Sequence, residues 1–254
     1  MPERPVAVIT GAATGVGAAC ARLLASRGYD VLINYRGSAD GAAATAAACR
    51  EIGAAALVVQ GDVALDADCR RVAARAVSEW GRVDALVNAA GMTRFVPHAD
   101  LEAVTEDDWQ RIFAVNVIGA FQMARATAPQ LRASGRGAIV NISSVSGSLG
   151  DGSSIPYAAS KGALNTLTKS LARTLAPEVR VNAVCPDYLT GRWLLEGVGG
   201  QRYDQILGTA RSKAPLADVA TPEDVADAVA WLVTGARMVT GTHVTIDGGI
   251  ALGL

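Results

Sequence analysis

The sequence predicts an α/β protein built on a doubly wound, seven-stranded parallel sheet with helices on both faces. Short apolar runs alternate along the whole chain with longer segments of helical composition. Most of these runs are apolar throughout, which indicates strands that helices cover on both sides. The segments between them are long enough for the crossover helices that join parallel strands. Because single α/β domains reach this length, we expect one domain over residues 1–254.

Each strand is predicted from its own apolar run. The first, VAVIT at residues 6–10, leads directly into a glycine-rich turn and a first helix. An Ala-rich run at 41–50 follows the second strand and predicts a helix packed closely on the sheet. Two further helices are expected at 116–133 and 157–176. The other predicted strands lie at residues 30–34, 55–60, 84–91, 137–143, 179–184 and 243–249.

The stretch from about residue 186 to 215 departs from this alternation. It is longer than an ordinary connection between a strand and a helix, and it combines several glycines with aromatic and leucine residues. Such a segment predicts a mobile cover over a ligand site. Its apolar side chains suit an apolar substrate, although half of them could serve only to pack the cover down. They are Tyr188, Leu189, Trp193, Leu194, Leu195 and Tyr203.

Composition and charge argue against several kinds of partner. The net charge is -1, so the chain has no basic field to attract nucleic acid or an anionic membrane. His98 and His243 stand apart without clustered ligands, so we expect no metal site. The four cysteines are scattered, as is typical of buried thiols in a reducing cytoplasm. With no signal peptide before the first strand and no membrane-spanning run, we expect a soluble, cytoplasmic protein.

The turn TGAATGVG, Thr10 to Gly17, closes the first strand and opens the first helix. Glycines let the backbone approach a pyrophosphate, and the free N–H groups and positive dipole end of the helix favour an anion. A glycine-rich turn in this position predicts a dinucleotide site. A tight turn that is needed only for packing would give the same pattern.

A second motif, YAASK, places Tyr157 four residues before Lys161. Such a pair alone could be an exposed polar pair on a helix. Its position argues otherwise, because Ser144 follows a predicted strand and the Tyr–Lys pair begins the next helix. We therefore expect the three side chains to converge at the carboxyl edge of the sheet, where open α/β sheets bind ligands.

These motifs together resemble the short-chain dehydrogenase/reductase family over essentially the whole chain. The shared features are the TGxxxGxG turn, NAAG at 88–91, Asn116, Ser144 and YxxxK, in this order. The resemblance implies a Rossmann-like domain that binds a nicotinamide cofactor and forms a homo-oligomer, a dimer or a homotetramer. The predicted helices at 116–133 and 157–176 carry Ala and Leu on more than one face, which suits burial against a partner subunit.

The resemblance also implies a catalytic group of Asn116, Ser144, Tyr157 and Lys161. Tyr157 would exchange a proton with the substrate oxygen that Ser144 holds, and Asn116 would position a water chain. An ammonium about 4 Å away is worth about 4 kcal/mol at an effective dielectric near 20, so we expect Lys161 to lower the pKa of Tyr157 by about three units. The family interval from serine to tyrosine favours Ser144 over Ser143, which we expect to serve the turn.

The residues that the resemblance implies for cofactor binding come from all parts of this edge. At the tip of the second strand, Tyr35 stands where NAD-preferring relatives carry Asp, while Arg36 and Ser38 can bind a 2′-phosphate. NADP(H) is therefore the expected cofactor, and NAD(H) is the weaker alternative. For Arg36 the other interpretation is a solvated loop charge. The full set is Thr10, Gly11, Thr14, Gly15, Val16, Gly17, Tyr35, Arg36, Ser38, Asp62, Val63, Asn88, Ala89, Ala90, Gly91, Tyr157, Lys161, Pro186, Asp187 and Leu189.

Two of these positions carry open alternatives. Asn88 is as well suited to steadying neighbouring strands as to contacting a ligand. Asp187 stands where relatives have glycine, and a positive φ there would be tolerated by Asp better than by most residues. Our hypothesis is that its carboxylate favours the oxidised cofactor and hence alcohol oxidation. The alternative is that it points to water or caps the following turn.

We predict an NADP(H)-dependent oxidoreductase that interconverts a small ketone and a secondary alcohol. The alternative is a 3-oxoacyl-carrier-protein reductase, for which Arg132, Arg136 and Arg173 would form a patch that binds an acidic carrier protein. A cofactor-sensing protein without chemistry is a third alternative, which the intact Ser, Tyr and Lys disfavour. The sequence does not specify the substrate or the direction of the reaction.

Overall fold

The computed structural model describes residues 4–252. The predicted domain spans 1–254, and its ends at 1–3 and 253–254 lie outside the described residues. The prediction that no signal peptide precedes the first strand falls partly on residues 1–3. Seven parallel strands form one sheet in the order β3-β2-β1-β4-β5-β6-β7, which confirms the predicted fold class. The strands are β1 (Val6–Thr10), β2 (Asp30–Tyr35), β3 (Ala56–Gln60), β4 (Ala85–Asn88), β5 (Gly137–Ile142), β6 (Val179–Pro186) and β7 (His243–Ile246).

Helices cover both faces of the sheet. The helices are α1 (Gly15–Ser26), α2 (Ala39–Glu51), α3 (Asp66–Trp80), α4 (Glu106–Phe113), α5 (Ala120–Ala133), α6 (Ser146–Leu149), α7 (Ile155–Leu175), α8 (Arg192–Val198), α9 (Gly200–Lys213) and α10 (Pro222–Thr234). One buried cluster joins the sheet to α1, α2 and α10, and another joins it to α3, α5 and α7. Along β1, Ala7 and Ile9 belong to the first cluster and Val8 to the second. The central strands are apolar throughout because both of their faces are buried.

The elements depart from the sequence-based boundaries in two places that matter for the site. Strand β4 ends at Asn88 and not at residue 91, because the N–H groups of Ala89 and Ala90 both donate to the Thr10 hydroxyl at 3.1 Å. The helix expected at 116–133 is α5, and a π-helical turn at residues 114–119 joins it to α4. Such turns widen a helix locally and are frequent at functional sites.

All four cysteines are free and buried, and burial raises the pKa of Cys20 to about 12 and that of Cys69 to about 11. Within residues 4–252, no helix is both long enough and apolar enough to cross a bilayer. That same part of the chain brings no three His, Cys, Asp or Glu side chains together as a metal site would.

Candidate active site

The glycine turn lies between the carboxyl ends of β1 and β4, where the order of the strands changes direction. Gly11 has a φ of +62°, and a Cβ atom there would lie 2.7 Å from Cα of Ala90. A Cβ atom on Gly17 would lie 2.5 Å from the Gly11 carbonyl oxygen. These two glycines are required by packing. Gly15 differs: its φ is +55°, but no atom lies within 4 Å of where its Cβ would be.

The start of α1 offers free N–H groups at this open point. Thr14 is the N-cap of α1, and its side chain makes no capping hydrogen bond. The first N–H groups of a helix have no partners within the helix, so this end attracts an anion. The space at Gly15 and the uncapped N-terminus therefore fit a pyrophosphate, which a turn that served packing alone would not require.

Thr10 and Asn88 serve the framework of this region. The buried Thr10 hydroxyl accepts the two N–H bonds from Ala89 and Ala90 and so holds the segment that follows β4 against β1. The Asn88 amide donates to Asn141 Oδ1 at 2.9 Å and to the Ala120 carbonyl at 3.3 Å. Asn88 thus joins β4 to β5 and α5, as the structural alternative expected.

A cavity of about 320 Å³ lies at the ends of β2 and β3. Arg36 is exposed beside it, with its Nη1 atom 3.7 Å from Oδ2 of Asp62. Oδ1 of Asp62 accepts the Ala64 N–H at 2.9 Å, which fixes the carboxylate in the loop after β3. Val63 is buried against Gly119 and does not line the cavity. The lining residues are Arg36, Asp62, Ala64, Met92, Arg111, Ala114 and Val115.

Sequence reasoning named only two of those lining residues. Arg111 was missed because α4 meets the ends of β2 and β3 only in the folded chain. Its position five residues before Asn116 was the one signal that could have found it. Ser38, which was also expected at this end, is the N-cap of α2 and makes no capping hydrogen bond.

Ser144, Tyr157 and Lys161 meet at the carboxyl ends of β5 and β6. Ser144 is the second residue after β5; its hydroxyl donates to the Pro186 carbonyl at 3.2 Å and contacts Ser146 Oγ at 3.1 Å. Tyr157 lies in the first turn of α7 and is hydrogen-bonded to Ser144. The Lys161 Nζ atom donates to the Ile142 carbonyl at 2.8 Å and lies 5.4 Å from the centre of the Tyr157 ring.

The electrostatics of this group differ from the expectation. Burial raises the pKa of Tyr157 to about 12, and the bond to Ser144 offsets only part of that rise. Burial also lowers the pKa of Lys161 to about 8. The expectation that Lys161 lowers the pKa of Tyr157 is therefore wrong for the protein alone. Loss of water around the phenol dominates, and the nearby Cys185 and Asp187 add to the rise, while the Lys161 ammonium bonds to a backbone carbonyl.

Asn116 lies inside the π-helical turn and is buried, and its side chain has partners at both ends. Its Oδ1 accepts the Met92 N–H at 2.8 Å. Its Nδ2 donates to the Met92 carbonyl and to Ser160 Oγ, both at 3.0 Å. The amide thus ties the segment after β4 to α7, so any water chain at this residue would have to attach to its backbone.

We expected Ser143 to serve the turn after β5, but the structure gives it other partners. Its hydroxyl donates to Asn165 Oδ1 at 2.7 Å and to the Lys161 carbonyl at 3.3 Å. It therefore fixes the end of β5 to α7, beneath the catalytic lysine candidate. Ser144, one residue later, has different partners, the Pro186 carbonyl and Ser146 Oγ.

Asp187 follows β6 and is partly buried. Burial, and then the charges of Asp151 and Asp247, raise its pKa to about 6. A backbone hydrogen bond from Tyr188 favours its charged form, in keeping with the predicted cap of the following turn. The glycine conformation considered for this position is not used, because within residues 4–252 Ala217 is the single non-glycine residue with positive φ.

The segment predicted as a cover contains α8 and α9. Leu194 is buried and packs with Tyr203 in a small cluster, while Leu189 pairs with Ala220. The other three apolar side chains of this segment keep large exposed surfaces and are free for a ligand. They are Tyr188, Trp193 and Leu195.

Comparisons with known proteins agree with this arrangement. A family model described as enoyl-(acyl carrier protein) reductase matches residues 11–251. A Streptomyces violaceoruber protein, provisionally named ketoacyl reductase 2 of granaticin polyketide synthase, is 44% identical over 251 residues, 99% of this chain and 98% of that protein. Cis-4-hydroxycyclohexanecarboxylate dehydrogenase of Sinomonas cyclohexanicum is 38% identical over 246 residues, 96% of this chain and 95% of the enzyme. A crystal structure from Burkholderia xenovorans, provisionally described as a short-chain dehydrogenase/reductase, superposes with a TM-score of 0.92 at 40% identity and covers 100% of both chains.

Proposed function

Because the chain belongs to the short-chain dehydrogenase/reductase family, we propose that it is an NADP(H)-dependent oxidoreductase that interconverts a ketone and a secondary alcohol. Its class, an oxidoreductase of carbonyl and alcohol groups, follows from the family and from relatives named for both directions. The cofactor choice and the residue roles are our proposal. The observation that carries it is the meeting of Tyr157, Ser144 and Lys161 at the sheet edge, beside the glycine turn.

The cofactor pyrophosphate is assigned to the N-terminus of α1, where Gly15 leaves room and Thr14 leaves the N–H groups uncapped. When bound, the nicotinamide supplies or accepts the hydride. Gly91, at the end of the segment that Thr10 holds in place, would form the wall of the pocket near the nicotinamide. Pro186 and Leu189 would border it from the end of β6.

The adenosine end is assigned to the cavity between Arg36 and Arg111. Arg36 is 66% exposed and so can turn its guanidinium to a 2′-phosphate. Arg111 offers a second positive charge on the opposite wall. Arg111 is paired with the exposed Asp107 at 2.8 Å, and with Arg36 it gives the cavity two guanidinium groups that can bind the 2′-phosphate of NADP(H).

Tyr157 is assigned as the proton donor in ketone reduction. Its raised pKa keeps the phenol neutral at pH 7, so that it can donate its proton to the substrate oxygen while the Ser144 hydroxyl holds that oxygen. The phenolate that results lies near the Lys161 ammonium, which stabilises it. In alcohol oxidation the same groups act in reverse, and Tyr157 must first lose its proton.

Replacing Tyr157 by Phe tests this assignment, since the change removes only the hydroxyl. We expect turnover to fall by about 100- to 10,000-fold while the dissociation constant of NADPH changes by less than about threefold. Tyr29→Phe is the matched control, because Tyr29 precedes β2 at the amino edge of the sheet. Near-normal turnover of Tyr157→Phe with a ketone would overturn the mechanism.

For the substrate we propose a small ketone or alcohol of apolar character. The carrier-protein alternative keeps the support of relatives named for acyl chemistry, but its predicted docking patch does not fit. Arg136 immediately precedes β5 and Arg132 lies in the last turn of α5, which leads into that strand, so both lie at the amino edge of the sheet. Arg173 lies about 24 Å along α7 from Tyr157. The patch is thus at the edge opposite the candidate catalytic group.

A substrate panel distinguishes these alternatives. NADPH oxidation would be followed with small ketones, diketones and acyl thioesters of increasing chain length. We expect turnover with apolar ketones. Preference for long acyl thioesters would favour the carrier-linked reductase, and silence across the whole panel would favour a cofactor-sensing protein.

A further inference from the structure

One face of α8 lies along the segment that follows β4. Trp193 and Gly197 are four residues apart on this helix and so share a face. A Cβ atom on Gly197 would lie within 2.5 Å of three carbon atoms of the Phe95 ring, so the ring rests directly on the glycine backbone. Trp193 Cη2 lies 3.8 Å from the point where a Cβ on Gly91 would be.

The same point beside Gly91 is also 3.8 Å from Oδ1 of Asn116. The Trp193 ring therefore reaches the space between the segment after β4 and the π-helical turn, which is the proposed nicotinamide wall. Trp193 is nevertheless 52% exposed, and it is not a member of the cluster that packs the covering segment down. An aromatic ring with free apolar surface beside a reaction site is suited to contact a ligand.

Phe95 is itself held firmly in place. Its ring packs with the cluster of Leu194 and Leu207. The neighbouring Val96 N–H donates to the Ser153 carbonyl at 2.8 Å, and Thr93 Oγ1 and Ser153 Oγ are 2.6 Å apart. Since these bonds fix the Phe95 segment to the chain just before α7, a side chain at 197 cannot be accommodated by a simple shift of the ring.

We propose that Phe95 and Gly197 are positioning residues that seat α8, and that Trp193, placed by this seat, determines specificity by contacting the substrate. The substrate class that fits is a ketone with an apolar ring, which the indole can stack against. This inference rests on the proposed function, since the carbonyl is reduced at Tyr157. It adds the residue that selects what is attached to that carbonyl.

The first test adds one methyl group to the seat. In Gly197→Ala the methyl collides with Phe95 and displaces α8, so we expect KM for an apolar ring ketone to rise about tenfold and kcat to change by less than about threefold. The matched control is Gly208→Ala in α9, where no atom lies within 4 Å of the added Cβ; its KM should stay within about twofold. In the double variant Phe95→Leu, Gly197→Ala, KM should return part of the way to the wild-type value.

Equal KM values in Gly197→Ala and Gly208→Ala would overturn the proposal that the contact between Phe95 and Gly197 positions α8. If Gly197→Ala only lowered the fraction of folded enzyme, the apparent kcat would fall and KM would not change. That result would also contradict the positioning role of Phe95 and Gly197. Should Gly197→Ala fail to fold, Phe95→Leu alone provides the test, because loosening the same contact should raise KM with little change in kcat.

The second test compares two ketones of similar size, one with an apolar ring and one with hydroxyl groups. Trp193→Ala should lose about tenfold in kcat/KM on the ring ketone and less than about threefold on the polar one, while Trp193→Phe retains most of the activity. Leu216→Ala is the control, because Leu216 is 78% exposed and lies beyond the covering segment. Equal losses on both ketones would overturn the role of Trp193. Unchanged variants in an active enzyme refute this inference alone, whereas a wild-type protein inactive on every ketone refutes the proposed function as well.

Discussion

At the scale of the residue, Asp187 carries a free-energy cost that depends on pH. Burial and its neighbours Asp151 and Asp247 raise its pKa to about 6, well above its value in an unfolded chain. The native state therefore holds this proton more tightly, and stability is lost as the pH rises through 6. A shift of about two units corresponds to about 3 kcal/mol, which the partial exposure of the side chain reduces.

Asp187→Asn is accordingly expected to raise the free energy of unfolding by about 1–2 kcal/mol at pH 8 and to leave it unchanged near pH 4. Urea denaturation at both pH values measures the difference. Asp227→Asn, on the exposed surface of α10, is the control and should show no such dependence. An equal gain at both pH values would mean that the carboxylate is not the cause.

The same substitution tests the hypothesis that Asp187 favours the oxidised cofactor. Removing the charge should tighten NADPH relative to NADP+ by a few-fold, most clearly at low salt. The structure adds a second effect, since the Asp187 charge contributes to the raised pKa of Tyr157. The pH profile of alcohol oxidation should therefore shift to lower pH in the variant. If the ratio of the two dissociation constants is unchanged, the carboxylate does not sense the nicotinamide.

Arg36 tests the cofactor choice. A charge-assisted bond to a 2′-phosphate contributes about 1.5–3 kcal/mol, so Arg36→Ala should weaken NADPH binding by about 10- to 100-fold and NADH binding by less than about twofold. Calorimetric titration with both cofactors measures this selectivity. Arg70→Ala, an exposed arginine paired with Asp66, is the control. Equal losses for NADPH and NADH would contradict the assignment of Arg36 to the 2′-phosphate.

At the scale of the element, the bond of Thr10 across two strands holds the segment after β4. Thr10→Val keeps the shape but removes the Thr10 acceptor from the Ala90 N–H and leaves the Ala89 N–H with the Val87 carbonyl at 3.2 Å, so we expect a loss of about 1–3 kcal/mol in stability together with weaker cofactor binding. Thr127→Val is the matched control, because the Thr127 hydroxyl bonds only to carbonyls of its own helix. Chemical denaturation and cofactor titration of both variants measure the effect. Equal stabilities of the two variants would show that the cross-strand bond is unimportant.

Periodicity and motif order predict the elements well but not the contacts between them. The strand predicted to run to residue 91 stops at Asn88, because the next two N–H groups, of Ala89 and Ala90, donate to the Thr10 hydroxyl on β1. The π-helical turn before α5 has no signature in apolar spacing. The raised pKa of Tyr157 was missed because the i, i+4 spacing to Lys161 gives a distance but not the loss of water around the phenol.

At the scale of the whole molecule, the topology could be predicted because the glycine turn marks the first strand and its carboxyl edge. That edge correctly brings Ser144, Tyr157 and Lys161 together. The same reasoning would have placed Arg132 and Arg136 at the opposite edge, since they come just before a strand and not after one. Arg111 could not be assigned in this way, because α4 meets the cofactor cavity only through packing between distant parts of the chain.

Assembly is the last property that the whole molecule determines. Several large apolar side chains lie exposed along α4, the π-helical turn and α5: Trp109 at 38%, Ile118 at 51% and Phe121 at 39%. Exposed apolar side chains on three consecutive elements suit burial against a second copy, so we propose a homo-oligomer, a dimer or tetramer of the 26.0 kDa chain. Phe121→Glu places a charge in that surface and should shift the mass in light scattering toward the monomer, because an unpaired charge is costly to bury. Met238→Glu is the control, as Met238 is 80% exposed in the loop after α10. A wild-type protein that scatters only as a 26.0 kDa species would refute the oligomer, and a Phe121→Glu protein of unchanged mass would place its interface elsewhere.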